Sequence, residues 1–141
     1  MAAEDLETKS RRVFDEAINK GNVNALDEVI APNLVSHRPP GPDVKGLDAY
    51  KQIITDLRKA FSDVQFTFDE VVSEGEAVAT RWTFRGTHTG QLPNPPIPPT
   101  GKRVTMTGLT LVHTVNGKTV EAWEYSDMLG LMQQLGVAPS K

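Results

Sequence analysis

Cysteine is absent from the 141 residues of the chain. Its absence excludes disulfide bonds, thiolate nucleophiles and cysteine-rich zinc sites. Histidine is scarce, since only His37, His88 and His113 occur and no HxH or HExxH pairing joins them. The pattern therefore does not favour a metal site, and carboxylates, histidines and hydroxyls remain as catalytic groups.

Long apolar runs are also missing, and the N-terminal residues alternate acidic and basic side chains without an apolar signal segment. These absences predict a cytoplasmic protein that does not cross a membrane. Charged residues make up 23% of the chain with a formal net charge of -3, which argues against disorder and against a nucleic-acid partner. The length predicts one domain, residues 1–141, with a small ligand that is not a polyanion.

Hydrophobic spacing changes along the chain from helical to alternating. Helical spacing predicts three helices, over residues 4–20, from Asn24 to Pro32, and from about Leu47 to Phe61. Alternation of β-branched and aromatic residues predicts four strands, over residues 64–73, 76–86, 103–115 and 118–125. A short last helix follows between Asp127 and Gly136. Helices followed by strands indicate an α+β protein with a largely antiparallel sheet.

Residues 91–102 contain five prolines, at positions 93, 95, 96, 98 and 99. Proline lacks a backbone N–H, so this segment is predicted to be a stiff, extended loop without ladder hydrogen bonds. We expect the loop to lie within one domain and not between two.

The turn at Asn116-Gly117 allows two registers for the last hairpin. A two-residue turn pairs Thr110 with Trp123, whereas a three-residue loop with a bulge pairs Thr110 with Ala122 or Glu124. In the second register a set of mostly small side chains surrounds one carboxylate: Gly108, Thr110, Val112, Val120, Ala122, Glu124 and Ser126. The opposite face then carries Leu109, Leu111, His113, Glu121, Trp123, Tyr125 and Asp127.

Three carboxylates stand close together in EAWEYSDMLG: Glu121, Glu124 and Asp127. Glu124 is a candidate general acid or base if it faces a dry cavity, and an ordinary exposed strand glutamate if it does not. Asp127 stands where an N-cap of the last helix belongs. Glu121 lies nearer the turn, where we expect it to be solvated.

Two sequence segments, GTHTGQLPNPPIPPTGK and NGKTVEAWEYSDMLGLMQQLG, together with the order of helices and strands, resemble the SnoaL-like polyketide cyclases. That family belongs to the nuclear transport factor 2-like superfamily. The resemblance implies a cone-shaped α+β barrel, in which a curved, mainly antiparallel sheet packs on the N-terminal helices around an apolar pocket. A short C-terminal helix completes it.

The resemblance also implies roles for individual residues. Glu124 corresponds to the acid-base aspartate of the family, and Thr110 replaces a family pocket histidine. His88 matches a family histidine, and His37 follows the second helix where relatives carry a polar pocket residue. The candidate catalytic set is therefore Glu124, His88 and Asp127, and the candidate substrate-binding set is His37, Trp82 and Thr110.

The implied function is a cyclase or isomerase that needs no cofactor and acts on a small hydrophobic carbonyl compound, as in an intramolecular aldol closure. Glu124 would act as base and then acid, while His88 or His37 polarises a carbonyl oxygen. Epoxide or ester hydrolysis is an alternative, with Arg81, Arg85 or Arg103 as the available arginine.

A binding or dimerisation module without catalysis is the other alternative. Leu109, Leu111, Trp123 and Tyr125 make the second sheet face apolar as well, which predicts a homodimer through that face.

Overall fold

The computed structural model describes residues 5–93 and 96–137. The helices are α1 (Leu6–Phe14), a π-helical segment (Asp15–Asn19) that continues it, a 3-10 helix (Val23–Glu28), α2 (Leu47–Ala60) and α3 (Met128–Leu135). The strands are β1 (Ile30–His37), β2 (Val44–Lys45), β3 (Gln65–Glu74), β4 (Ala77–Thr87), β5 (Leu92–Pro93), β6 (Pro96–Ile97), β7 (Arg103–Val115) and β8 (Lys118–Ser126). None of the helices described is long and apolar enough to cross a membrane.

Six of the strands form one curved sheet in the order β2-β1-β8-β7-β4-β3. Every neighbouring pair is antiparallel except β1 and β8, which run parallel. The N-terminal helices pack on its inner face, where the apolar residues of α1, α2 and the sheet form one core. The predicted α+β class, with a mainly antiparallel sheet and a short last helix, is confirmed.

Strand β1 corrects the predicted end of the second helix. The helical segment stops before Val29, and the chain then pairs with β8 instead of continuing as a helix to Pro32. Pro32 lacks an N–H, and it is tolerated because the register shifts between Ile30 and Val35, where the regular ladder is interrupted. As a result, Ser36 and the residues after it lie beside β8.

The β7–β8 hairpin combines features of both predicted registers. Asn116 and Gly117 form a two-residue turn with positive φ angles of 53° and 79°. A register shift just above the turn then pairs Thr110 with Glu124 and not with Trp123. The face of small side chains that the bulged register predicts is therefore the one that forms.

The proline segment contains more regular structure than predicted. Leu92 pairs with Ile97 in the small β5–β6 ladder, and Ile97 is buried in the core. The prediction of a loop without any ladder is wrong at this point. Residues 94–95 lie outside the described ranges.

Helix α3 closes the sheet beside β7. Its N-terminus is capped by Asp127, which accepts from the Gly130 N–H at 2.9 Å, and it ends at Gly136 in the left-handed conformation. Past the end of β8, the Gln134 side chain pairs with the exposed backbone of β7. Its Oε1 accepts from the Thr105 N–H at 2.8 Å, and its Nε2 donates to the Thr105 carbonyl at 2.7 Å.

Candidate active site

A mainly apolar cavity of about 160 Å³ lies between the helices and the inner face of the sheet. Its aromatic walls are Phe14, Tyr50, Phe66, Phe68, Trp82 and Phe84. Its polar side chains are Ser10, Arg38, Thr80, Thr110, Thr119, Glu124 and Ser126. Among the described residues, one carboxylate and one guanidinium therefore face a space that is otherwise lined by rings, aliphatic groups, a thioether and hydroxyls.

Glu124 is held through one of its two carboxylate oxygens. Its Oε2 accepts from the Ser36 hydroxyl at 2.5 Å and from Arg38 Nη1 at 2.6 Å. Among the described residues no group donates to Oε1, and Oε1 is not a fully buried atom. The Glu124 side chain is only 11% exposed. One oxygen is thus anchored while the other is left for a ligand.

The parallel pairing of β1 with β8 produces this arrangement. Side chains alternate along a strand, so Ser36 and Arg38 share one face and His37 takes the other. Ser36 pairs with Ala122 and His37 with Trp123, which places Arg38 next to Glu124. The two donors therefore reach the carboxylate from the end of β1 and from the residue directly after it.

Tyr50 of α2 lies beside this ion pair. Burial raises the pKa of the Tyr50 phenol well above its ordinary value, and the negative charge of Glu124 raises it further. The positive charge of Arg38 opposes that shift in part. The phenol therefore stays protonated at neutral pH and retains an O–H to donate.

Trp82 and Thr110 meet next to Glu124. The indole Nε1–H donates to the Thr110 hydroxyl oxygen at 3.0 Å, and Thr110 pairs directly with Glu124 in the ladder. The indole lies against Gly108, where any β-carbon would stand 2.2 Å from the ring. The structure therefore brings together three residues that the sequence analysis selected: Glu124, Trp82 and Thr110.

His37 does not line this cavity but lies on the outer face of the sheet. Its Nε2 is 2.7 Å from Glu121 and its Nδ1 is 3.0 Å from Asp43, while its ring packs on Trp123. The hydrogen bond to Glu121, followed by the one to Asp43, raises the pKa of His37. The expected convergence of His37 with Glu124 is not observed, because alternation in β1 turns it the other way.

His88 also lies away from the cavity lining. It is fully buried, its ring packs on Phe61, and its Nδ1 accepts from the Thr100 backbone N–H at 3.2 Å. This contact joins the end of β4 to the proline segment. Asp127 does not line the cavity either, since its carboxylate serves as the N-cap of α3.

Sequence reasoning missed Ser36, Arg38 and Tyr50. One sequence signal could have found two of them: Ser36 and Arg38 flank His37 in an extended segment, so their side chains are expected on the same face. The arginine beside the carboxylate is Arg38 and none of the three arginines that the sequence suggested. No group of three or more metal-type ligands occurs in residues 5–93 and 96–137.

The sequence matches the family profile described as SnoaL-like polyketide cyclase over residues 8–135. The chain belongs to this family. The aklanonic acid methyl ester cyclase DauD of Streptomyces sp. (strain C5) is 30% identical over 128 residues, which cover 86% of this chain and 76% of DauD.

Two solved structures of similar proteins extend over nearly the whole chain. TsrD from Streptomyces laurentii has a TM-score of 0.85 at 25% identity and covers 98% of this chain and 100% of its own. IdmH from Streptomyces antibioticus has a TM-score of 0.78 at 31% identity and covers 95% of this chain and 100% of its own. The SnoaL-like fold is therefore shared along with the family profile.

Proposed function

We propose that this SnoaL-like protein closes a ring in a small, polyketide-like carbonyl compound by acid-base catalysis without a cofactor. One observation carries the proposal: Glu124 faces an apolar cavity with Oε2 anchored by two donors and Oε1 free. Membership of a cyclase family supports the reaction type, and DauD is named as a cyclase of aklanonic acid methyl ester.

Glu124 is the base in the proposed reaction. Its Oε1 removes a proton from the carbon next to a carbonyl group, and the electron pair of the broken C–H bond forms an enolate. The enolate carbon then attacks a second carbonyl of the same molecule, and the new C–C bond closes the ring. The alkoxide formed in that step takes the proton back from Glu124, so the overall reaction is an isomerisation.

Arg38 and Tyr50 are positioned to stabilise the enolate. Proton transfer to Glu124 neutralises the carboxylate and moves the negative charge to the substrate oxygen. Arg38 then loses its ionic partner in the same step in which the new anion appears. The Tyr50 phenol adds a neutral donor, and in an apolar site both interactions are stronger than in water.

Trp82 and Thr110 are proposed to bind the substrate, because both line the cavity beside Glu124. We assign no catalytic or binding role to His37, His88 or Asp127, since none of the three lines the cavity. We expect a flat, apolar ring system to lie between the aromatic walls, with an oxygen-bearing end at Arg38 and Tyr50.

Replacement of Glu124 by glutamine tests the proposal. Glu124→Gln keeps the size of the side chain but removes the base, so turnover is expected to fall by about 100-fold or more. The measurement is product formation by liquid chromatography and mass spectrometry with aromatic diketo esters that can close a six-membered ring. Glu121→Gln is the matched control, because Glu121 contacts His37 on the outer face and is expected to retain full activity.

Two results would count against the cyclase proposal. Equal turnover by the native protein and Glu124→Gln would remove the carboxylate from the mechanism. Binding of such esters without any ring closure by the native protein would instead favour a binding module.

Hydrolysis remains a second candidate because Arg38 and Glu124 form an ion pair of the kind that can orient a water molecule. Glu124 is, however, the only carboxylate among the cavity-lining residues in the described part of the chain. Incorporation of heavy oxygen from labelled water into the product separates the two reactions, because ring closure by isomerisation takes up none.

A homodimer through the outer sheet face is proposed as well. Leu109, Leu111 and Tyr125 are adjacent there and are 55%, 40% and 57% exposed. Contiguous apolar surface of this kind marks an interaction site. A cytoplasmic location stays a prediction from the sequence.

A further inference from the structure

We propose that Trp82 determines substrate size, and that it limits the ring system beside Glu124 to one aromatic ring or two fused rings. The inference rests on the proposed function, for which it names the substrate class. It is argued from the position of the indole, from its contacts with Gly108 and Thr110, and from the volume of the cavity.

The indole of Trp82 is the largest side chain that lines the cavity. Trp82 is 6% exposed, and its ring packs on Phe66 with centroids 5.3 Å apart. Its Nε1 points to Thr110, the ladder partner of Glu124. A ligand beside Glu124 therefore shares the cavity with the indole.

Two features of β7 hold the indole in this position. Gly108 leaves the backbone bare beneath the ring, because a β-carbon there would collide with it at 2.2 Å. Two residues further along, Thr110 accepts the indole N–H at 3.0 Å. The ring is packed on one side and hydrogen-bonded at its edge, so moving it requires breaking that bond in an apolar environment.

The remaining volume sets the limit. A cavity of about 150 Å³ accommodates one benzene molecule, and the cavity here is about 160 Å³. On this comparison one aromatic ring is enough to fill the space. We therefore expect a second fused ring to need small side-chain adjustments and a third to need displacement of Trp82.

Binding of flat ketones of increasing size tests the limit without any turnover. Isothermal titration calorimetry with acetophenone, acetonaphthone and acetylanthracene is expected to show binding of the one-ring and two-ring ketones. The three-ring ketone is expected to bind at least about tenfold more weakly, because overfilling a packed cavity strains it. Trp82→Ala is expected to reverse this preference and bind acetylanthracene at least about tenfold more tightly than the native protein does.

Three further variants keep the test decisive. Trp82→Phe retains an aromatic core residue and is expected to shift the preference in the same direction if Trp82→Ala does not fold. Thr110→Val removes the acceptor at nearly constant volume and is expected to weaken the discrimination. Trp123→Phe changes the other tryptophan, which lies on the outer face, and is expected to leave all three affinities unchanged.

Equal affinity of the native protein for two-ring and three-ring ketones would overturn the inference. The same holds if the folded Trp82 variants keep the native preference. Glu124→Gln is expected to keep the ring-size preference, since binding needs no base. A protein that sorts ketones by size but closes no ring would therefore overturn the proposed function alone.

Discussion

Ser36 is a fully buried serine whose hydroxyl hydrogen-bonds to the Glu124 carboxylate at 2.5 Å. Together with Arg38 it binds Oε2, which leaves Oε1 as the oxygen that can take a proton. We therefore regard Ser36 as a positioning residue: it acts through Glu124 and does not itself line the cavity.

Ser36→Ala is expected to lower kcat by about tenfold while KM changes by less than about twofold. The reason is that a hydrogen bond to a charged group contributes about 1.5–3 kcal/mol, and its loss lets the carboxylate adopt unproductive orientations. Steady-state kinetics measure the split between the two constants.

Ser126→Ala is the control for that experiment, because Ser126 lines the cavity but makes no hydrogen bond to Glu124. Ser36→Thr retains a hydroxyl and is expected to restore part of kcat. Equal losses of kcat in Ser36→Ala and Ser126→Ala would show that Ser36 contributes only to packing.

At the scale of single residues, the sequence predicts the carboxylate but not its donors. Glu124, Thr110 and Trp82 follow from strand alternation and from the position of the last hairpin. Arg38 is 86 residues away from Glu124 along the chain. Their contact depends on a parallel pairing of distant strands, for which no local pattern exists.

At the scale of elements, His37 on the outer face adds side-chain contacts between β1 and the chain segments on either side of it. Its two ring nitrogens contact Asp43, in the segment that leads to β2, and Glu121 of β8. The imidazolium form donates to both carboxylates, which is why these contacts raise the pKa of His37. A raised pKa in the folded protein links stability to pH.

The stabilisation by His37 is expected to be fully present below its ordinary pKa of 6.5 and to be lost as pH rises through the folded value. Urea unfolding of the native protein and His37→Gln at about pH 5.5 and about pH 8.5 measures it. The difference in unfolding free energy is expected to be larger at the lower pH. Asp43→Asn leaves Glu121 as the carboxylate beside His37 and is expected to make the stabilisation depend less on pH. An unfolding free-energy difference between the native protein and His37→Gln that grows with pH would contradict the prediction.

Long periodic elements are the ones that sequence patterns predicted well. Helix α2 and strands β3, β4, β7 and β8 lie close to their predicted bounds, because each carries an unbroken stripe or alternation. Strand β1 was missed since Pro32 within an apolar stretch is typical of a helix end. The β5–β6 ladder was missed because proline is rarely found in paired strands.

At the scale of the whole molecule, the sheet has two different faces. The inner face forms the core and the cavity, while the outer face exposes Leu109, Leu111 and Tyr125. A second copy of the chain is the occupant that we propose for this outer face.

Leu111→Glu is expected to convert the proposed dimer into a monomer. The substitution places a charge on the outer face, and dimer formation would have to bury that charge. Size-exclusion chromatography with multi-angle light scattering at about 50 μM measures the mass, well above the micromolar range of weak homodimers. Leu129→Glu is the control, since Leu129 is 61% exposed on α3 and not on the sheet. A native protein of monomer mass would contradict the proposed dimer.

The pairing of Gln134 with Thr105 has a consequence for how the molecule avoids aggregation. Beyond the end of β8, the backbone of β7 would present an open N–H and C=O to any extended chain. The carboxamide of Gln134 has the same donor and acceptor as a peptide group. It pairs with both the N–H and the C=O of Thr105. Gln134 thereby blocks the pairing of another extended chain with the backbone of Thr105, while the apolar outer face of the sheet stays exposed.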